Sequence, residues 1–221
     1  KSIAARGSFA LAIPGGSVLD LLKGWTPEWA SKTTVAYVNH KCVPVDDAKD
    51  STHAKARKSF LDGWIAAGAK VVGPPGAKSG AEAAAIYEQS LRGVDCAVLP
   101  RDWAGFPMFD LLLLGMGDDG HIGSLHPKRD EVLDSGSWVL AVEKGSPASI
   151  TVSLPVMLAA DEVVIAAYGV SAKAPNGKSE AIYRAFEGEE TPQSLPASTM
   201  RGKAAWLIDT TAASKLPACF R

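Results

Sequence analysis

The densest chemistry in this 221-residue chain lies in Leu111–Pro127, LLLLGMGDDGHIGSLHP. An uninterrupted apolar run there enters a loop with Gly115, Gly117 and Gly120, which also carries Asp119 and His121. A carboxylate two positions from an imidazole can orient the ring and bias its protonation, which is what a general base working near neutral pH requires. The glycines allow tight turns and let main-chain N–H groups approach an anion or oxyanion. Spacing alone leaves a second reading open, a glycine-rich turn whose histidine is merely exposed.

Two other segments could serve the same ligand. Ala10–Ser17, ALAIPGGS, reads as a strand, a Gly15-Gly16-Ser17 turn and a helix from about Val18. N–H groups at a helix start, with the Ser17 hydroxyl, would cradle a phosphate, although such a turn with a serine N-cap is also common structure. In Asn176–Ala181, Lys178 stands at the start of a helix, where its cation could reach that ligand or remain in solvent.

Positioning these loops requires an α/β fold, a single Rossmann-like domain over residues 1–221 with a mainly parallel sheet and helices on both faces. Strands are expected at Ser8–Ile13, Thr34–Val38, Phe109–Leu114, Val139–Val142, Ile150–Ser153, Val163–Tyr168 and Ala204–Ile208. The run Phe109–Leu114 lacks alternation, as a central strand covered on both faces should. Helices are expected at Thr52–Ala67, with Ala56, Phe60, Trp64 and Ala67 facing the sheet, at Gly80–Arg92, and from near Lys178 and Thr211. In such sheets ligands bind at loops on the carboxyl ends of strands.

Composition narrows the partners. With 23 basic and 24 acidic side chains and a net charge of −1, no global field would hold nucleic acid or an anionic membrane. No apolar run approaches the roughly 20 residues of a membrane span. Cys42, Cys96 and Cys219 are far apart, so they read as thiols in a reducing compartment, and neither they nor the four histidines have metal-site spacing. No metal is expected. His53 reads as an exposed helix residue without a partner, and the scattered tryptophans read as packing rather than a nucleic-acid platform.

Taken in order, the motifs resemble the glucosamine-6-phosphate isomerase/6-phosphogluconolactonase family, on its lactonase side. GMGDDGH followed by Ser124-Leu125-His126-Pro127, the strand-linked Gly15-Gly16-Ser17, Lys178-Ser179-Glu180-Ala181, Leu195-Pro196-Ala197-Ser198 and the ending from Trp206 to Leu216 carry the likeness over nearly the whole chain. The resemblance implies hydrolysis of 6-phospho-D-glucono-1,5-lactone to 6-phosphogluconate in the oxidative pentose phosphate pathway, with no cofactor. It implies His121 as the base that activates water and Asp119 beside it as catalytic residues. Gly15, Gly16, Ser17, Lys41, Gly117, Gly120 and Lys178 would bind a small sugar phosphate. An intracellular location, cytosol or plastid, is compatible with it.

Some positions depart from the family pattern. Asn39-His40-Lys41 stands where Asp-Glu-Arg is usual, Ser149 replaces an arginine before Ile150-Thr151, and His126 replaces an aromatic. Lys41 keeps a charge but not arginine's two-pronged donor. The loop Val170–Asn176 is lengthened, and its Lys173 could replace or supplement Lys178. These changes motivate a second reading, a non-catalytic relative that binds a sugar phosphate or serves a protein assembly. A third, glucosamine-6-phosphate deaminase, is disfavoured because Ile122–Pro127 lacks the acid that family places after its histidine.

Overall fold

A computed structural model describes residues 2–170 and 177–218. Its main sheet has six strands, all parallel, in the order β4-β2-β1-β5-β8-β9. These are β1 (Phe9–Ile13), β2 (Thr33–Tyr37), β4 (Lys70–Val71), β5 (Leu111–Gly115), β8 (Glu162–Ala167) and β9 (Ala204–Ile208). The chain winds outward from β1 through β2 in one direction and from β5 through β8 in the other. The crevice between the carboxyl ends of β1 and β5 is therefore a topological switch point, the place where this architecture leaves room for a ligand.

Central position explains the apolar character of these strands. Leu112 and Leu114 of β5 are fully buried, whereas Leu111 and Leu113 on the other face are only partly covered. At the opposite end of the sheet the buried carboxylate of Asp110 accepts from Arg6 and from the Ala10 N–H, joining the entry to β5 to β1 and the short helix α1 (Ser2–Arg6).

The expected single sheet is accompanied by a second one. β3 (Asn39–Lys41), β7 (Ser149–Val152) and β6 (Val139–Val142) pair antiparallel in the order β3-β7-β6. Asn39–Lys41 was not expected as a strand; it is too short for periodicity to reveal, and its pairing with β7 is more than a hundred residues distant in sequence. This small sheet packs on α4 (Gly80–Arg92), whose Ser79 cap accepts from the Glu82 N–H.

The helical segment from Thr52 is continuous to Ala66, but residues Arg57–Leu61 form a π-turn between α2 (Thr52–Ala56) and α3 (Asp62–Ala66). Ala56, Phe60 and Trp64 are buried as their spacing predicts. Ala67 instead lies exposed, because the helix ends before it. Trp64 is packed edge-on against Trp25 and Trp29, so three of the scattered tryptophans meet in one aromatic cluster. Two expected helices shrink: Ser17–Leu22 is a short 3-10 segment, and the chain from Thr211 to Lys215 forms turns. α5 (Ser179–Glu187) begins directly after Lys178, as expected. No helix among the described residues is long and apolar enough to cross a membrane.

Candidate active site

The loop after β5 closes on itself. The Gly117 N–H donates to the His121 carbonyl (2.9 Å), the Gly120 N–H to the Gly117 carbonyl (3.1 Å), and Met116 bridges Ile122. Asp119 sits inside this turn and its Oδ1 accepts both from the His121 main-chain N–H (3.1 Å) and from His121 Nδ1 (2.5 Å). Burial pushes the Asp119 carboxyl up, but the hydrogen bonds and charge of the adjoining His121 outweigh this and hold it well below the usual carboxylate range. An ionised carboxylate only accepts, so Nδ1 carries the proton and Nε2 of His121 presents a lone pair.

The glycines are required here by space. A Cβ on Gly117 would overlap the His121 ring and crowd Asp119 Oδ1, and one on Gly120 would overlap the Leu195 side chain. Gly120 also has φ +83°, in the left-handed region that favours glycine. Leu195 belongs to the Leu195-Pro196-Ala197-Ser198 segment, which is pinned to the loop by an Ala197 N–H bond to the Gly120 carbonyl (3.1 Å). The N–H groups of Gly117 and Gly120, expected to meet an anion, are thus spent inside the turn.

His121 lines a cavity of about 320 Å³ at the switch point, together with Pro14–Val18, Asn39, Gly115–Asp118, Gly123 and Lys178. The structure therefore gathers His121, Gly15, Gly16, Ser17, Gly117 and Lys178 around one space. Asp119 and Gly120 stand behind the wall and support it. Lys41 lies elsewhere: it lines a neighbouring cavity with His126, Lys144 and Ser149, and its ammonium pairs with Asp50 (2.5 Å).

The turn after β1 is organised by other elements. Gly16 has φ +90°, and Asn39 Oδ1 accepts from the Gly15 N–H (3.0 Å), so that donor is not available to a phosphate. Asn39 Nδ2 in turn donates to Ser124 Oγ (3.2 Å), which ties the turn to the segment following His121. Tyr168 donates its hydroxyl to the Ser17 carbonyl (2.8 Å). With only six residues of 3-10 helix behind it, the turn has little macrodipole, and the N–H groups of Gly16 and Ser17 at the start of the segment lack intrahelical acceptors. Burial draws the Lys178 ammonium pKa down, opposed by Asp118 and Asp209.

Three positions gained meaning only from the structure. Asn39 enters the cavity wall, a role its reading as a lost carboxylate did not suggest. His40 points into the core, where it is 2% exposed; Nδ1 donates to the Lys41 carbonyl and Nε2 meets Ser51 Oγ at 3.2 Å. Burial pushes its pKa down to about 4, against the opposing pull of that carbonyl. His53 is not a solitary exposed residue: its Nδ1 bonds the Tyr37 hydroxyl at 2.6 Å. Spacing revealed no metal-type cluster, yet the fold brings His126 beside Asp119 and His121. Lys173 lies outside the described residues.

The model of the family described as glucosamine-6-phosphate isomerases/6-phosphogluconolactonase matches residues 1–208. The chain belongs to this family. Among relatives, it is 34% identical to a 6-phosphogluconolactonase of Mycobacterium tuberculosis over 233 residues, covering 98% of this chain and 88% of the relative. It is 30% identical to a protein of Oryza sativa subsp. japonica named probable 6-phosphogluconolactonase 3, chloroplastic, covering 98% of this chain and 68% of the relative. The fold is shared with the solved 6-phosphogluconolactonase of Trypanosoma brucei, at a TM-score of 0.74, 20% identity and coverage of 97% and 88%. It is also shared with a monomeric glucosamine-6-phosphate deaminase, at a TM-score of 0.67, 18% identity and coverage of 96% and 90%.

Proposed function

We propose that this chain, acting as one domain, hydrolyses 6-phospho-D-glucono-1,5-lactone to 6-phosphogluconate in the oxidative pentose phosphate pathway. The observation that carries the reading is the Asp119–His121 pair, whose proton is held on Nδ1 while the same ring lines the switch-point cavity. In this mechanism Nε2 takes a proton from water as the water oxygen bonds to the lactone carbonyl carbon. The carbonyl electron pair moves onto oxygen and returns as the bond to the ring oxygen breaks, and the imidazolium gives its proton to that leaving oxygen. Asp119 stabilises the imidazolium and keeps the productive tautomer. A lactone is an activated ester, so water and one positioned base complete the balance with no cofactor.

In this reading Lys178 and the Gly16-Ser17 turn, which line the cavity with His121, receive the anionic phosphate, a handle whose binding fixes the ring against His121. Lys41, committed to Asp50, contributes at most from the neighbouring cavity. The chloroplastic names of the plant relatives fit a plastid or cytosolic setting for this activity.

The test is lactone disappearance with freshly generated substrate, comparing wild type, His121→Ala and a protein-free blank. Wild-type turnover should fall by about 10²–10⁴-fold in the variant without loss of the folded transition. Wild-type rates equal to the blank would overturn the hydrolase reading and leave a sugar-phosphate-binding relative.

A further inference from the structure

The cluster of Asp119, His121 and His126 offers one ligand atom per residue, all within 4.8 Å of one another. Two imidazoles and a carboxylate form a donor set suited to borderline-soft divalent ions such as Zn²⁺, Co²⁺ or Ni²⁺. A tetrahedral ion with bonds of about 2.1 Å holds its ligand atoms roughly 3.4 Å apart. His126 Nδ1 and Asp119 Oδ2 already stand 3.5 Å apart. The His121 and His126 rings lie side by side, with centroids separated by 4.4 Å. All three side chains retain access to solvent, so an ion needs no opening of the fold to reach them.

A second observation shows that this place attracts positive charge. The ammonium of Lys144, from the connection between β6 and β7, lies 2.8 Å from His126 Nδ1 and 3.7 Å from Asp119 Oδ2. An ammonium only donates, so His126 Nδ1 presents its lone pair, and the two acceptors converge on a single cation. Lys144 is half exposed on a flexible stem, and it can withdraw into water without disturbing the backbone.

We propose that Asp119, His121 and His126 form a binding site for one divalent transition-metal ion, which displaces the Lys144 ammonium and silences the base. Coordination separates the His121 and Asp119 groups that otherwise hold each other and places a double positive charge beside the imidazole. An ion on His121 Nδ1 displaces that nitrogen's proton to Nε2, and an ion on Nε2 takes its lone pair directly, so in either case the ring has no lone pair left to take a proton from water. The inhibitory half rests on the hydrolase reading; the binding half stands without it.

The test titrates Zn²⁺ into the intact chain against a chromophoric chelator, with Co²⁺ visible absorption as an independent report of imidazole and carboxylate ligation. Wild type should take up one equivalent. His126→Phe should bind at least about tenfold more weakly, because one of three protein ligands is gone. Lys144→Met should bind about threefold or more tightly, since a competing charge is removed. Equal zinc affinity in wild type and His126→Phe, or no d–d absorption with Co²⁺, overturns the site. In parallel lactonase assays, zinc should suppress wild-type turnover and a chelator should restore it. Turnover that persists with the site filled overturns the inhibitory half. Zinc uptake by a chain that never hydrolyses lactone leaves the metal site standing and removes only the hydrolase reading.

Discussion

Two short segments meet at the cavity, and they are built in opposite ways. The loop from Met116 to Ile122 makes its own hydrogen bonds, and Asp119 accepts twice from the histidine it orients. The three residues of β3 have almost no local structure and take three destinations: Asn39 the cavity wall, His40 the core, and Lys41 the surface beside Asp50. The loop's chemistry follows from residues within a few positions of one another. That of β3 follows from strand alternation and from partners far away in sequence. The lesson is that an altered motif can keep its backbone pairing while each of its side chains acquires a different job.

The contrast is broken most severely at Asp119. Asp119→Asn should reduce lactone turnover by about 10²–10⁴-fold, because an amide can donate to Nδ1 and favour the wrong tautomer. Stopped-flow or continuous proton-release assays would show it, and retention of most activity would mean that the loop backbone alone orients His121.

His40 provides the next largest effect, and it appears in stability rather than turnover. Its folded pKa of about 4 lies below the ordinary histidine value, so the unfolded chain binds the extra proton first. The contribution is fully present above about pH 6.5 and is lost as pH falls toward 4, amounting to at most roughly 3 kcal/mol. Urea unfolding across that window should show a smaller pH slope for His40→Gln than for wild type. His53, also lowered by burial, remains in both proteins, and its charge supplies a smaller part of the lowering at His40.

Asn39→Ala should cost about 1–2 kcal/mol by removing the bonds to Gly15 and Ser124. It should raise KM more than it lowers kcat, since the loosened turn belongs to binding. An unchanged KM would show that the Gly15–Ser17 turn holds its shape without this tie. Lys41→Ala should be the mildest, within about 0.5 kcal/mol by thermal melting, because its ion pair with Asp50 is solvent-facing. A large rise in KM for this variant would return Lys41 to the substrate and contradict its placement beside Asp50.

The two-residue β4 escaped notice, but the other five parallel strands, the Asp119–His121 pair and the family were legible in the residues alone. Each depends on local signals: apolar runs of strand length, a glycine-rich turn at fixed spacing, and an ordered set of motifs. Tertiary structure decided what those signals omit. Pairing of Asn39–Lys41 with Ser149–Val152 put Asn39 in the site and buried His40, and closure of the loop spent N–H groups that spacing left free. Packing of the turn between β6 and β7 carried Lys144 to His126 and Asp119. Apart from the loop's own closure, such contacts join residues from 18 to more than a hundred positions apart, and only the folded sheet, with its fixed register and direction of winding, sets which of them meet.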